Sequence, residues 1–167
     1  MILGFSTKLN GKETFFVEKT HKCFSLKEIY MKAGLCEDFY PNGYNYYIKG
    51  KCLPKLHTIR DDPNNRWHRD IMIDFFINVR KKNMFRFAPK LPVVSTQEVF
   101  MTYSHSDLIQ ISIDGRELFS YTERLEFAIN DGFDNWEDFF NYFYSKIKAS
   151  KDGFYKAKLI HWTHLKY

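Results

Sequence analysis

The sequence predicts an α+β fold, a small mixed, mostly antiparallel β-barrel with helices packed outside. Three observations lead there. Short apolar runs of strand length, separated by turn residues, occupy the middle of the chain between Ile71 and Ile113. Asp114-Gly115 stands between two such runs as a hairpin signal, which favours antiparallel neighbours over crossovers. Beyond Thr122 the apolar spacing becomes helical, and a last strand-like run closes the chain. A chain of 167 residues with 44% apolar content buries one good core and little more, so residues 1–167 read as one domain. The 17 Phe and 11 Tyr suit a β-rich core and leave rings over for exposed stacking.

Taken in order, residues 2–7 read as a short strand. Residues 12–20 read as a helix after a turn at Gly11, with Phe15, Phe16 and Lys19 spaced for one partly buried face. A second helix over 25–33 would start at Ser25, find Glu28 at the capping-box position and stop at Gly34. Residues 38–50, rich in Tyr and Asn with Pro41, Gly43 and Gly50, read as a long loop or irregular hairpin. After a turn at 61–65, Ile71 to Val79 is a nearly continuous apolar run and hence a buried strand. Further strands fall at 85–87, 93–103, 108–113 and 117–120. Helices follow over 122–130, stopped by Gly132, and 134–148, started at Asp134 with Trp136, Phe139, Phe140 and Phe143 along one face. Residues 154–162 form the closing strand.

The stretch with most chemistry is Lys55-Leu-His57-Thr58-Ile59-Arg60-Asp61, stiffened at its entry by Pro54 and followed by Arg66-Trp67. In an extended segment Thr58 and Arg60 share one face and His57 and Ile59 the other. Lys55 lies at odd spacing and joins Thr58 only if the chain turns beside it. The plain alternative is a surface strand with its basic groups in solvent.

Charge is unevenly distributed. The formal balance is +5 with a pI near 9.0, a mild preference for anionic partners. Arg80, Lys81, Lys82, Arg86 and Lys90 form a run free of acids in sequence and interleaved with Phe85 and Phe87, whereas carboxylates dominate 114–138. Together with Arg60, Arg66, Trp67 and Arg69 these residues make a candidate nucleic-acid face, since cations release counterions from phosphates and rings stack on unpaired bases. Against that stand two structural readings: a charged, soluble hairpin tip, and Phe85, Phe87 and Trp67 as core. Tyr40, Tyr44, Tyr46 and Tyr47 offer either exposed stacking rings or a small cluster pinning their own loop.

Lys55-x-x-Thr58-Ile59-Arg60-Asp61, then Arg66-Trp67, then Ala128-x-x-Asp131-Gly132-Phe133 resemble the signature of ASCH domains, small relatives of the PUA-like RNA-binding barrels. The resemblance spans about residues 50–167, with 1–19 as a first strand and helix, and it makes residues 20–50 an insertion. It implies a cleft for RNA or a modified nucleotide, floored by 55–61 and walled by 80–90 and 38–50. Arg60 would hold a phosphate, with Lys55 and Thr58 on the base or ribose. Some members of that family are amidohydrolases that deacetylate N-acetylated cytidine with a Lys, a Thr and a carboxylate. By position these are Lys55, Thr58 and Asp131, where Asp replaces the Glu of those enzymes and is one methylene shorter. A ribonuclease using His57 or His68 as general base is a further reading. So is a phage or mobile-element protein that acts on a host protein through the insertion.

No cofactor motif is present. His57, His68, Cys23, Cys36 and Cys52 match no metal spacing, so neither cofactor nor metal is expected. The odd cysteine count, the lack of a signal peptide and of any membrane-length apolar run point to a soluble protein of the reducing cytoplasm.

Overall fold

A computed structural model describes residues 1–23, 53–103 and 108–167. The helix expected over 25–33, the Tyr-rich loop with Tyr40, Tyr44, Tyr46 and Tyr47, and Cys36 and Cys52 lie outside the described residues.

The chain opens with β1 (Ile2–Phe5) and a small hairpin, β2 (Lys8–Leu9) and β3 (Lys12–Glu13). A helix was expected to begin at residue 12. Asn10 and Gly11 instead both take positive φ, 49° and 81°, the conformation of a tight hairpin turn, and Phe15 at 52° delays the helix. Helix α1 therefore runs Phe16–Cys23. After it come β4 (His57–Arg60), β5 (Met72–Ile77), β6 (Phe85–Arg86), β7 (Leu91–Pro92), β8 (Ser95–Thr102), β9 (Gln110–Ile113) and β10 (Arg116–Glu117). Helices α2 (Tyr121–Asn130) and α3 (Trp136–Ala149) precede the last strand, β11 (Phe154–His161).

The expected barrel does not form. One sheet has the order β10-β9-β8-β11-β4 and is antiparallel throughout. The other has β5 at its centre, parallel to β1 and antiparallel to β6 and β7. Closure would need β4 to pair with β1. Side chains prevent it: the Ile59 amide on the outer edge of β4 donates to Asp131 Oδ1 at 3.2 Å. From the same strand the Arg60 guanidinium donates to the Gly4 carbonyl of β1. The two sheets thus meet across a seam fastened by side chains, while the Val94 amide, donating to the His161 carbonyl, links them at another point.

Two cores flank the five-stranded sheet. The larger packs Val99, Met101, Ile111, Ile113, Ile59 and Leu159 against Phe127 of α2 and Phe139, Phe143 and Ile147 of α3. Those last three recur every four residues, the stripe that seats a helix on a sheet. The second gathers Leu3, Phe5, Phe75, Ile73, Phe87, Trp67 and Trp162 with Val17 of α1. Alternation along β11 sends Leu159 to one core and Ile160 to the other. Because Ile160 pairs with Thr58 and Leu159 with Ile59, β4 is divided the same way. His57 and Ile59 look toward α2, and Thr58 and Arg60 toward β1.

Candidate functional site

The end of α2 builds the site. Ser120 caps its start, and Asp131, Gly132 and Phe133 form a Schellman stop. The Gly132 amide donates to the Ile129 carbonyl at 2.8 Å and the Phe133 amide to that of Ala128 at 3.0 Å, with Gly132 at φ +93°. This turn aims the Asp131 carboxylate at the seam. The lead-in to β4 is threaded between helices: the Lys55 amide donates to the Lys19 carbonyl at 2.9 Å, and the Leu56 amide to that of Asn130 at 2.8 Å.

Two buried lysines clasp the Asp131–Asp134 turn. Lys55 Nζ donates to the Asp131 backbone carbonyl and, at 2.9 Å, to its Oδ1. Lys19 Nζ donates to the Gly132 carbonyl at 2.7 Å and pairs with Asp134 Oδ1 at 2.8 Å. The Lys55 ammonium also lies 4.7 Å from the centre of the Phe16 ring and 6.0 Å from that of Phe5. Arg60 sits over the other part of Phe5, its Cζ 5.3 Å from the ring centre. Lys55 and Asp131, 76 residues apart in sequence, are thus in contact, and Arg60 shares their aromatic floor. Thr58 lies on the Arg60 face of β4. Lys55, Thr58 and Asp131 are only 1%, 4% and 4% exposed, so the trio is closed off in this conformation.

Burial pulls the Lys55 pKa down to about 8; Asp131 opposes the fall, and Arg60 and Lys19 add to it. For Asp131 burial works upward, but Lys55 and His57 outweigh it and hold the carboxyl below its ordinary range. The two groups form an ion pair at neutral pH. Behind them His57 is fully buried, stacked on Phe127 at 5.3 Å, with Nε2 2.7 Å from the Tyr167 hydroxyl and Nδ1 3.7 Å from Asp131 Oδ1. Burial lowers its pKa from the usual 6.5.

The other basic residues lie elsewhere. Arg80, Lys81 and Lys82 are exposed at the turn between β5 and β6, and Arg66, His68 and Arg69 are exposed ahead of β5. Arg86 and Lys90, free of acids in sequence, meet one in space: Asp74, at 2.7 and 3.6 Å. Trp67 is buried in the second core, with Phe87 beside it in that cluster. The Arg66-Trp67 step is held by Asp62, whose carboxylate accepts both amides at 2.9 and 2.8 Å and pairs with Lys158. Sequence reading missed Lys19, Asp62, Asn130 and Tyr167 as parts of the site. Asp62, in an Asp-Asp-Pro-Asn-Asn turn, carried a local signal for backbone capping; the others carried none.

No protein-family model, curated protein or solved structure matches this chain. The ASCH and PUA-like terms, and the RNA-binding and hydrolase terms that came with them, therefore find no support in known proteins, and the unclosed sheets remove the barrel. Among the described residues no cluster of His, Cys, Asp or Glu is placed to hold a metal. No helix among them is long and apolar enough to cross a membrane. Cys23 is a free thiol, pushed up to about 11 by burial. Of the 20–50 insertion, only 20–23 falls within the described residues.

Proposed function

We propose that the protein binds a phosphate of a nucleotide or RNA strand at the β1–β4 seam, with Arg60 as its anchor. One observation carries this reading: Arg60 is the cation at the seam that has no carboxylate of its own. Lys55 pairs with Asp131 and Lys19 with Asp134, whereas Arg60 makes no ion pair among the described residues and spends its fork on one backbone carbonyl. Its Nε is buried without a hydrogen-bond partner among the described residues. A desolvated guanidinium in that state is costly unless an anion completes it, and its planar fork suits two phosphate oxygens. Phe5 supports the guanidinium plane.

Binding of labelled short oligoribonucleotides and of mononucleotides, followed by fluorescence anisotropy, tests the proposal. Arg60→Leu is expected to weaken binding by about tenfold or more and to reduce the salt dependence by roughly one phosphate contact. Arg60→Lys should recover only part of the loss, because the charge returns without the fork. Unchanged affinity in Arg60→Leu would refute the reading.

A second reading is favoured by a separate observation, a lysine with its pKa drawn down to about 8 in contact with a carboxylate. It is amide hydrolysis on an acylated nucleoside such as N-acetylated cytidine. Lys55 would first pass its ammonium proton to Asp131, then take the Thr58 proton as the hydroxyl attacks the amide carbon; Asp131 would hand its proton to the leaving amine, and water would release the acyl group from Thr58. Turnover abolished by both Lys55→Ala and Thr58→Val would establish it, and binding without turnover would leave the first reading alone.

A further inference from the structure

We propose that Asn130, Tyr167 and His57 form a positioning relay behind Asp131, in which His57 carries its single proton on Nδ1 and presents it to the carboxylate. Proton counting leads there. Asn130 Nδ2 bears only hydrogens, so across 2.9 Å it donates to the Tyr167 oxygen. The tyrosine then has one proton to give, and His57 Nε2 is 2.7 Å away to accept it. An imidazole that accepts at Nε2 must hold its proton on Nδ1, the atom facing Asp131 Oδ1 at 3.7 Å.

The reverse arrangement turns the Asn130 amide over, so that Tyr167 donates to it and His57 donates to Tyr167. It would set the Nδ1 lone pair against a carboxylate oxygen where both groups are buried, and two acceptors facing each other there repel. Asp131 thus favours the first network, and the Tyr167 proton on Nε2 adds to that preference. The 3.7 Å separation is longer than a hydrogen bond, so the pull is electrostatic and works because water is excluded. His161, whose ring centre is 5.4 Å from that of His57, has no hydrogen-bond partner on either nitrogen among the described residues and takes no proton from the relay.

The consequence is for Asp131. Three donors converge on one oxygen, Oδ1: Lys55 Nζ at 2.9 Å, the Ile59 amide at 3.2 Å and, at longer range, His57 Nδ1. Tyr167 and Asn130 act only through His57, fixing its tautomer and so the charge and direction of the carboxylate that holds the Lys55 ammonium. The relay belongs to the site of the proposed function, but its test requires no ligand.

Long-range proton–nitrogen correlation spectra of the full chain, labelled with nitrogen-15 in histidine, read the tautomer directly near neutral pH. His57 is assigned from the signal lost in His57→Gln. Nδ1 is expected to be protonated and Nε2 to carry the lone pair. Tyr167→Phe keeps the ring against Phe127 and removes the hydroxyl. In that variant the population should move toward Nε2–H, and the Asp131 pKa, read from its carboxyl carbon, should rise by about one unit. A native protein with its proton on Nε2 would overturn the relay, as would a folded Tyr167→Phe protein with tautomer and Asp131 titration both unchanged. The native spectrum decides the tautomer even if the variant is unstable.

Discussion

Gly132 joins the two demands that make the site. Its φ of +93° is open to glycine and strained for other residues, and a Cβ placed there would stand 3.0 Å from Lys55 Cδ and 3.0 Å from Phe16 Cε1. Gly132→Ala is therefore expected to cost about 2 kcal/mol or more in urea unfolding, from backbone strain plus displacement of the lysine stem. A change below about half a kcal/mol would show that the clasp yields easily. The helix-stopping role was legible in the sequence, since Asp131-Gly132 after a helical run is a local signal. Contact between Lys55 and Asp131 was legible only through the resemblance in the order of the motifs. Lys19, Tyr167 and Asn130 could not be read, because a residue's burial against a segment more than thirty positions away leaves no mark in its own neighbourhood.

Helix α2 holds Asp131 in place, and its other end is secured by a reciprocal cap. The Ser120 hydroxyl accepts from the Glu123 amide at 3.1 Å, the Glu123 carboxylate accepts from the Ser120 amide at 3.1 Å, and Arg116 pairs with that carboxylate at 2.9 Å. Ser120→Ala should cost about 1 kcal/mol in chemical denaturation with the cooperativity unchanged, while Ser120→Thr stays close to the native value. This Ser-x-x-Glu signal was available in the sequence, and it places the helix start one residue ahead of the expected Thr122. Helix α3 likewise starts from Asn135, whose side chain accepts from the Asp138 amide, and not from Asp134, which Lys19 has engaged. The misread first helix has the same lesson. Asn10-Gly11 is itself a hairpin signal, and the apolar spacing of Phe15 and Phe16 mimics a helix face although both rings follow a turn.

At the scale of the whole molecule, strand positions were largely legible and sheet closure was not. Alternation reports which face of a strand is buried, but nothing local says whether the last two edges meet. Two side chains decide that here. Global stability should also carry the mark of the buried imidazoles. Burial pulls the His161 pKa down to about 3, with His57 adding to the fall. Its folded value lies below the unfolded value near 6.5, so the unfolded chain binds more protons in acid. The stability it leaves intact above about pH 6.5 is lost progressively as pH falls toward 3. Between pH 6.5 and 5 the loss from this one group is about 2 kcal/mol, in a window above the carboxylate titrations. His161→Phe should flatten that part of the stability profile, leaving the slope from His57 and His21, whose pKa values burial lowers in the same direction. An equally steep profile in the variant would assign the acid sensitivity to other groups.

Strand rims left bare invite foreign strands, and in many proteins they are where fibrils begin. Here the Asp131 carboxylate covers the Ile59 amide on the rim of β4, and the Arg60 guanidinium covers the Gly4 carbonyl on that of β1. An intruding backbone would have to displace an ion from each and leave it stripped of its partner. The same two groups therefore also stand against edge-to-edge pairing between copies of this protein.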